Sequence, residues 1–192
     1  MRTIETTVYT VDELSPEAFD RARIEYAQSY ENLTADDDMA SLRAFVAAAG
    51  MRLTNFDIGA YAHSSLRVDG DDSVLAMRGR RAWAWLENRV LAETRIPWTG
   101  SRRASVRKYG WAYRPGRINP CPWTGYYMDE VLLDSFRESL RNGLTVRDSF
   151  AILADTIRRA WEEDYDDATG ADGFRELARA NGWEFTEDGS MA

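Results

Sequence analysis

The sequence has one cysteine, one histidine and one lysine among 192 residues, and the scarcity of the first two excludes several classes of site. A single thiol, Cys121, excludes an internal disulfide framework, and Cys121 with His63 cannot supply the three or four ligands that zinc requires. A Ser-His-Asp site would need His63, whose neighbours "YAHSS" contain no nucleophile elbow. Cys121 lies between Pro120 and Pro122, which is typical of a small buried residue in a rigid turn. We therefore predict a protein with no catalytic residue, no metal and no cofactor.

Long apolar runs and phosphate-binding motifs are also missing. The longest uncharged aliphatic run, residues 44–51, is far too short to cross a bilayer, and the first ten residues contain no apolar signal core. Neither a GxxxxGK[ST] loop nor a GxGxxG fingerprint occurs. These absences predict a soluble, cytoplasmic protein that does not bind nucleotides through a standard loop.

What the sequence does contain is an uneven distribution of charge. The net charge is −8, yet residues 78–117 hold 11 basic residues and two acids, Glu87 and Glu93. The rest of the chain holds 13 basic and 30 acidic residues. An acidic protein with a basic middle favours a partner recognised by charge.

Periodicity and capping residues predict a single α+β domain over residues 1–192, with four or five helices packed on a small sheet. An alternating segment at residues 3–11 predicts an N-terminal strand of that sheet, and "WEF" at 183–185 predicts a strand beside it. Helices are predicted after Ser15, after Thr34, over 73–93 with a weak point at Gly79, over 129–140, after Thr145 and over 173–180. The buried face predicted for the second helix is Met39, Leu42, Phe45, Val46 and Ala49. The acidic residues 162–167 predict fraying at the end of the long helix, because negative charge opposes the dipole there.

A long basic and aromatic loop is predicted at about 94–128, a segment with four of the five prolines and no acid. Arginine interleaved with aromatic rings is typical of single-stranded nucleic-acid binding, of protein interfaces, and also of simple packing beneath a loop. All three interpretations stay open. The candidate contact residues are Arg102, Arg103, Arg107, Lys108, Trp111, Tyr113, Arg114, Trp123, Tyr126 and Tyr127.

Four blocks of the sequence resemble the recurring blocks of a family of uncharacterised bacteriophage and prophage proteins. The blocks are "VYTVDELSPEA" at 8–18, "GRRAWAWLENRV" at 79–90, "CPWTGYYMDEVLLD" at 121–134 and "RANGWEFTEDG" at 179–189. Some members carry a loose label that relates them to toxin–antitoxin systems. Relatives often have a second cysteine just after the Thr-Gly, where this chain has Tyr126, Tyr127 and Met128, and this departure argues against a cysteine pair in the turn.

The resemblance implies a phage-encoded, non-enzymatic protein in the bacterial host cytoplasm that inhibits or modulates a host factor, in an anti-CRISPR or anti-restriction role. The implied partner is a host protein or nucleoprotein complex, whose basic grooves suit an acidic surface. One alternative is a nucleic-acid-binding or antitoxin-like regulator that uses the basic segment 95–117. An enzyme acting around Cys121 and His63 is the third hypothesis.

Overall fold

The computed structural model describes residues 7–58, 64–92, 95–96, 117–118 and 120–192. Within these residues the helices are α1 (Pro16–Ser29), α2 (Ala35–Ala48), α3 (Asp72–Leu75), α4 (Gly79–Trp85), α5 (Met128–Arg141), α6 (Val146–Thr169) and α7 (Ala171–Asn181). A π-helical turn, Leu86–Val90, follows α4. The strands are β1 (Arg52–Ile58) paired antiparallel with β2 (Ser64–Asp69), and β3 (Arg95–Ile96) paired antiparallel with β4 (Arg117–Ile118). The predicted α+β class is confirmed, with more helices than the four or five expected.

The chain divides into two compact units. Unit 1 comprises residues 1–33 and 160–192, and unit 2 comprises residues 34–159. The single domain expected over 1–192 stays a prediction. None of the described helices is both long and apolar enough to cross a membrane.

Unit 1 is built on α1, α7 and the part of α6 that begins at residue 160. Helix α1 starts as the sequence predicts, because the Ser15 hydroxyl accepts the backbone N–H of Ala18 at 3.2 Å and Pro16 occupies the first turn. Phe19 packs against Phe174 of α7 with ring centroids 5.5 Å apart. The buried core of this unit is Val11, Phe19, Ala22, Phe174, Ala178 and Phe185.

The two ends of the chain meet in unit 1. Tyr9 donates its backbone N–H to the carbonyl of Phe185 at 2.8 Å and accepts the Phe185 N–H at 2.9 Å. The predicted pairing of the N-terminal segment with "WEF" is therefore confirmed as one antiparallel bridge. The described part of the N-terminal segment pairs with Phe185 and is not a strand of the β1–β2 sheet, whereas residues 1–6 lie outside the described residues.

Unit 2 holds the larger core and the β1–β2 hairpin. Phe136 of α5 contacts Phe45 of α2 and Phe150 of α6, with centroid distances of 5.1 and 4.8 Å. All three rings are fully buried. The hairpin pairs Arg52 with Asp69 at one end and Ile58 with Ser64 at the other, and its register shifts once between Leu53 and Asn55.

The helix expected over 73–93 is wrong as a single element. The chain forms α3, leaves the helix at Ala76, and begins α4 at Gly79, whose φ of 58° lies in the left-handed region. Glycine adopts this conformation without the steric cost that a Cβ imposes, so the weak point is a break. The π-helical turn then places Glu87 in a buried ion pair with Arg137 of α5 at 3.2 Å.

Two further details of the helices differ from expectation. In α2 the buried face includes Asp38 and Ser41, whereas Met39 and Ala49 are only half-buried. Helix α6 has the expected cap, since the Thr145 hydroxyl accepts the Asp148 N–H at 3.1 Å. However, α6 does not fray at the acidic residues 162–167 and stays helical to Thr169.

Candidate functional site

The turn "CPWTG" before α5 is organised by a single buried carboxylate. Asp129, in the first turn of α5, is fully buried and accepts three backbone N–H groups: Trp123 at 2.8 Å, Thr124 at 2.7 Å and Gly125 at 3.3 Å. The Thr124 hydroxyl also donates to Asp129 at 2.9 Å. A carboxylate that collects several N–H donors fixes the backbone of the turn, because charge-assisted bonds are stronger than neutral ones. Sequence reasoning did not identify this anchoring role of Asp129.

The same turn is tied to α2 by one polar and one aromatic contact. The hydroxyls of Ser41 and Thr124 are 2.9 Å apart, and Ser41 is fully buried. The ring of Trp123 stacks on Phe45 with centroids 4.4 Å apart and planes 13° from parallel. These contacts show that Trp123 and Thr124 hold the turn against the core of unit 2.

The structure describes three of the ten candidate contact residues. Trp123 and Tyr126 are half-buried, whereas Tyr127 is 41% exposed and meets Tyr126 edge to face at 4.5 Å. A contact role for Tyr126 and Tyr127 stays a prediction, and so does one for Trp123 beyond its packing. The other seven residues lie outside the described residues: Arg102, Arg103, Arg107, Lys108, Trp111, Tyr113 and Arg114.

The chemistry-bearing residues of the third hypothesis are not brought together by what the structure describes. Cys121 is half-buried, and His63 lies outside the described residues. No group of three or more His, Cys, Asp or Glu within the described ranges is arranged to hold a metal ion.

Negative charge is concentrated in unit 1. Its two sequence segments contain 17 acidic and five basic residues, whereas unit 2 contains 15 acidic and 19 basic residues. Unit 1 therefore has a net charge of −12 and unit 2 a net charge of +4 at neutral pH. The sequence contained these counts, but only the pairing of the chain ends joins the two acidic segments in one body.

The described arginines of unit 1 are all neutralised by carboxylates of the same unit. Four short contacts link Arg21 to Asp188 at 3.4 Å, Arg23 to Asp20 at 3.7 Å, Arg175 to Asp172 at 3.5 Å and Arg179 to Asp12 at 2.7 Å. The other acids of unit 1 supply the remaining charge, and the exposed ones among the described residues are Glu13, Glu17, Glu25, Glu31, Glu162, Glu163, Asp166, Asp167, Glu176, Glu184 and Glu187. The surface of unit 1 is consequently anionic.

The densest negative charge lies at the end of α6, which we name the acidic end: Glu162, Glu163, Asp164, Asp166 and Asp167. The carbonyl end of the helix dipole adds to this charge. Tyr165, 40% exposed, stands within it and contacts the ring of Tyr30 at 5.4 Å. Burial raises the pKa of Tyr30, and the neighbouring Asp164 raises it further. The acidic end thus combines carboxylates with an aromatic surface.

A recess of about 480 Å³ opens in the same unit. Val11, Leu14 and Phe19 supply apolar side chains to it, and the charged side chains of Asp12, Asp20 and Arg175 also line it. The guanidinium of Arg175 lies over the Phe19 ring, 4.6 Å from its centroid, and 3.8 Å from the carboxylate of Asp12. The recess thus shows that this surface accommodates a guanidinium between an aromatic ring and a carboxylate.

Comparison with protein-family models, curated proteins and solved structures gives no match to this chain. The resemblance of the four sequence blocks to phage proteins therefore stays a prediction. The charge, the recess and the contacts described above are the basis for a functional proposal.

The Asp12–Arg179 pair in unit 1 gives a direct test of this electrostatic arrangement. The guanidinium donates Nε to Oδ2 at 2.8 Å and Nη2 to Oδ1 at 2.7 Å, and these bonds lower the pKa of Asp12 below its ordinary value of 3.8. We expect Arg179→Ala to raise the pKa of Asp12, measured by the pH titration of its carboxyl carbon in NMR. Because the folded pKa is depressed, the pair stabilises unit 1 above the ordinary pKa, and this contribution disappears as the pH falls through the folded value.

Arg21→Ala is the matched control, since Arg21 pairs with Asp188 and not with Asp12. If the pKa of Asp12 is the same in Arg179→Ala as in wild type, the two hydrogen bonds from Arg179 are not what lowers it.

Proposed function

We propose that this protein is a phage-encoded, non-enzymatic binding protein that inhibits or modulates a host factor in the bacterial cytoplasm, in an anti-defence role of the anti-CRISPR or anti-restriction type. The observation that carries the proposal is the net charge of −12 in unit 1. A surface of this density repels nucleic acid and acidic proteins and attracts basic ones. The partner is therefore a host protein or nucleoprotein complex with an exposed basic groove.

The internal ion pairs of unit 1 support this interpretation. Because each described arginine of unit 1 already has a carboxylate partner there, exposed acids such as Glu163, Asp166 and Asp167 add negative charge to the surface. Complementary charge raises the association rate and suppresses wrong partners more than it raises affinity. Affinity then depends on apolar contacts, which Tyr165 and the recess beside Phe19 supply.

The experiment is affinity capture from bacterial lysate with wild type and two variants of equal charge change. The acidic-end variant is Glu162→Gln, Glu163→Gln, Asp166→Asn and Asp167→Asn. The matched control neutralises four exposed acids of unit 2: Asp36→Asn, Asp57→Asn, Glu130→Gln and Glu138→Gln. We expect wild type and control to recover one partner stoichiometrically, and the acidic-end variant to recover at least tenfold less of it.

Mass spectrometry of the captured fraction identifies and quantifies the partner. Wild type that repeatedly recovers no stoichiometric partner would refute the proposal. Equal recovery by the acidic-end variant would show that the charge of α6 is not what the partner recognises.

A further inference from the structure

The exposed charged side chains of helix α4 and the π-helical turn are all positive. Arg80, Arg81 and Arg89 are exposed within these two elements, and Arg78 is exposed immediately before them. The one acid between residues 79 and 90 is Glu87, which is buried and paired with Arg137. Glu87 is therefore not exposed to solvent, whereas the arginines are.

A fifth arginine and an aromatic ring extend this face. The guanidinium of Arg141, at the end of α5, lies over the ring of Trp83 at 5.0 Å from its centroid. This contact places an exposed guanidinium of α5 on a ring of α4. We name Arg78, Arg80, Arg81, Arg89 and Arg141, with Trp83, the basic face.

Few carboxylates oppose the basic face. Within the part of the chain that the structure describes, no carboxylate lies at ion-pair distance from Arg78 or Arg81. Asp71 interacts with Arg89 at longer range, and Asp72 forms an ion pair with Arg147 at 2.8 Å. The basic face therefore keeps a net positive charge on a unit that is itself positive.

The chain after the π-helical turn adds further basic positions. Strands β3 and β4 pair Arg95 with Ile118 and Ile96 with Arg117, so two arginine positions share one short ribbon. This ribbon begins five residues after the π-helical turn ends at Val90. The basic character of α4 is thus continued in the next element.

We propose that the basic face binds the phosphate backbone of a nucleic acid. Guanidinium groups match phosphate oxygens by paired hydrogen bonds, and several of them on neighbouring elements attract a polyanion. A membrane surface fits less well, because the residues exposed between the arginines are Ala84 and Asn88, and the half-buried ring of Trp83 is covered by the guanidinium of Arg141. The site lies in unit 2, whereas the acidic surface belongs to unit 1.

Fluorescence anisotropy with a labelled 20-base-pair duplex and the matching single strand tests the site between 25 and 200 mM salt. We expect binding whose logarithmic affinity falls with salt, and a slope that is smaller by about 3 in Arg78→Ala/Arg81→Ala/Arg89→Ala, one for each lost phosphate contact. The same variant binds at least tenfold more weakly at 50 mM salt. The control Arg43→Ala/Arg67→Ala/Arg159→Ala removes equal charge from exposed sites elsewhere in unit 2 and keeps the wild-type slope.

Circular dichroism shows whether both triple variants are folded. If the basic-face triple variant is unfolded, the single variants Arg78→Ala and Arg81→Ala are measured instead, and each is expected to lower the slope by about 1. Several outcomes overturn the proposal: no salt-dependent binding by wild type, equal loss in the control, or tighter binding to anionic vesicles or polyglutamate than to nucleic acid. A fourth is loss of binding only in Arg102→Ala/Arg103→Ala/Arg107→Ala/Lys108→Ala, which would move the site to the basic segment 95–117. No host partner enters this assay, so its failure is separate from failure of the proposed function.

Discussion

We expect Asp129→Ala to lower the free energy of unfolding by about 3 kcal/mol, because it removes a buried charged acceptor from four part-buried hydrogen bonds. The wild-type carboxylate accepts the N–H groups of Trp123, Thr124 and Gly125 and the hydroxyl of Thr124. An alanine removes all four bonds at once and leaves space where the carboxylate was. Urea unfolding of the full chain, followed by circular dichroism, measures the loss.

Asp129→Asn separates the bonds from the volume of the side chain. An asparagine keeps one oxygen for the turn amides but presents an NH₂ group in place of the other. We therefore expect it to lower the free energy of unfolding by about half as much as Asp129→Ala does. Glu130→Gln is the control, since Glu130 is the next residue in the same turn of α5 and is exposed. A loss in Asp129→Ala no larger than in this control would show that water replaces the carboxylate at little cost.

Hydrogen exchange localises the effect to the turn. In wild type the amides of Trp123, Thr124 and Gly125 are bonded to a buried acceptor, and they exchange slowly for that reason. We expect these three amides to lose protection in Asp129→Ala, while amides of α1 in unit 1 keep theirs. Uniform loss of protection would instead indicate global destabilisation.

The helices that sequence reasoning located correctly are those whose ends are encoded locally. Ser15 and Pro16 fix the start of α1, and Thr145 with Asp148 fixes the start of α6. Such caps satisfy helix N–H groups from within four residues, so the signal and its consequence lie in the same short window. This locality explains why α1 and α6 begin at their predicted positions. Helices α2, α5 and α7 have no side-chain N-cap and are instead followed by glycines with positive φ, Gly50, Gly143 and Gly182.

The break between α3 and α4 was harder to predict, because a helix can either continue through Gly79 or end there. A glycine inside an apolar pattern costs about 1 kcal/mol, which a helix can tolerate. In this chain Gly79 takes a positive φ, and Val146 donates its N–H to the carbonyl of Met77 at 2.9 Å. A long-range contact therefore competes with the continuous helix, and periodicity alone does not contain that contact.

The role of Asp129 shows where local reasoning misleads. An acid in the first turn of a helix is favourable for the dipole by a few tenths of a kcal/mol to about 1 kcal/mol, and this explanation is sufficient from sequence. In the structure the side chain of Asp129 instead points to the preceding "CPWTG" segment and accepts the backbone N–H of Thr124. The available signal was the spacing of "WTG" and Asp129, four to six residues apart, which places a carboxylate within reach of three consecutive amides.

The anionic surface depends on a contact between the chain ends. Sequence counting separated a basic middle from an acidic remainder, but it could not divide that remainder between two units. The Tyr9–Phe185 bridge, which was predicted, and the packing of Phe19 on Phe174, which was not, join residues 1–33 to 160–192. The candidate site thus follows from tertiary contacts more than from any motif.

The second large effect is expected at Gly173, where helix propensity and packing predict opposite signs. Gly173 lies in the first turn of α7, so propensity alone predicts that alanine stabilises the helix by about 1 kcal/mol. A Cβ at this position would collide with the backbone carbonyl oxygen of Asp167 in the last turns of α6. Because the colliding atom is backbone, neither helix can relieve the overlap by a side-chain rotation. Packing therefore dominates, and we expect Gly173→Ala to destabilise unit 1 by about 3 kcal/mol.

Ala180→Gly supplies the matched control in the same helix, at an exposed position where propensity acts without packing. We expect it to lower the free energy of unfolding by about 1 kcal/mol in the same urea experiment. Since Phe174 is fully buried and follows the glycine directly, displacement of α7 by the new methyl group also moves a core ring away from Phe19. A stabilised Gly173→Ala would mean that the corner between α6 and α7 opens at little cost, and the acidic end of α6 would then not be held rigidly against α7.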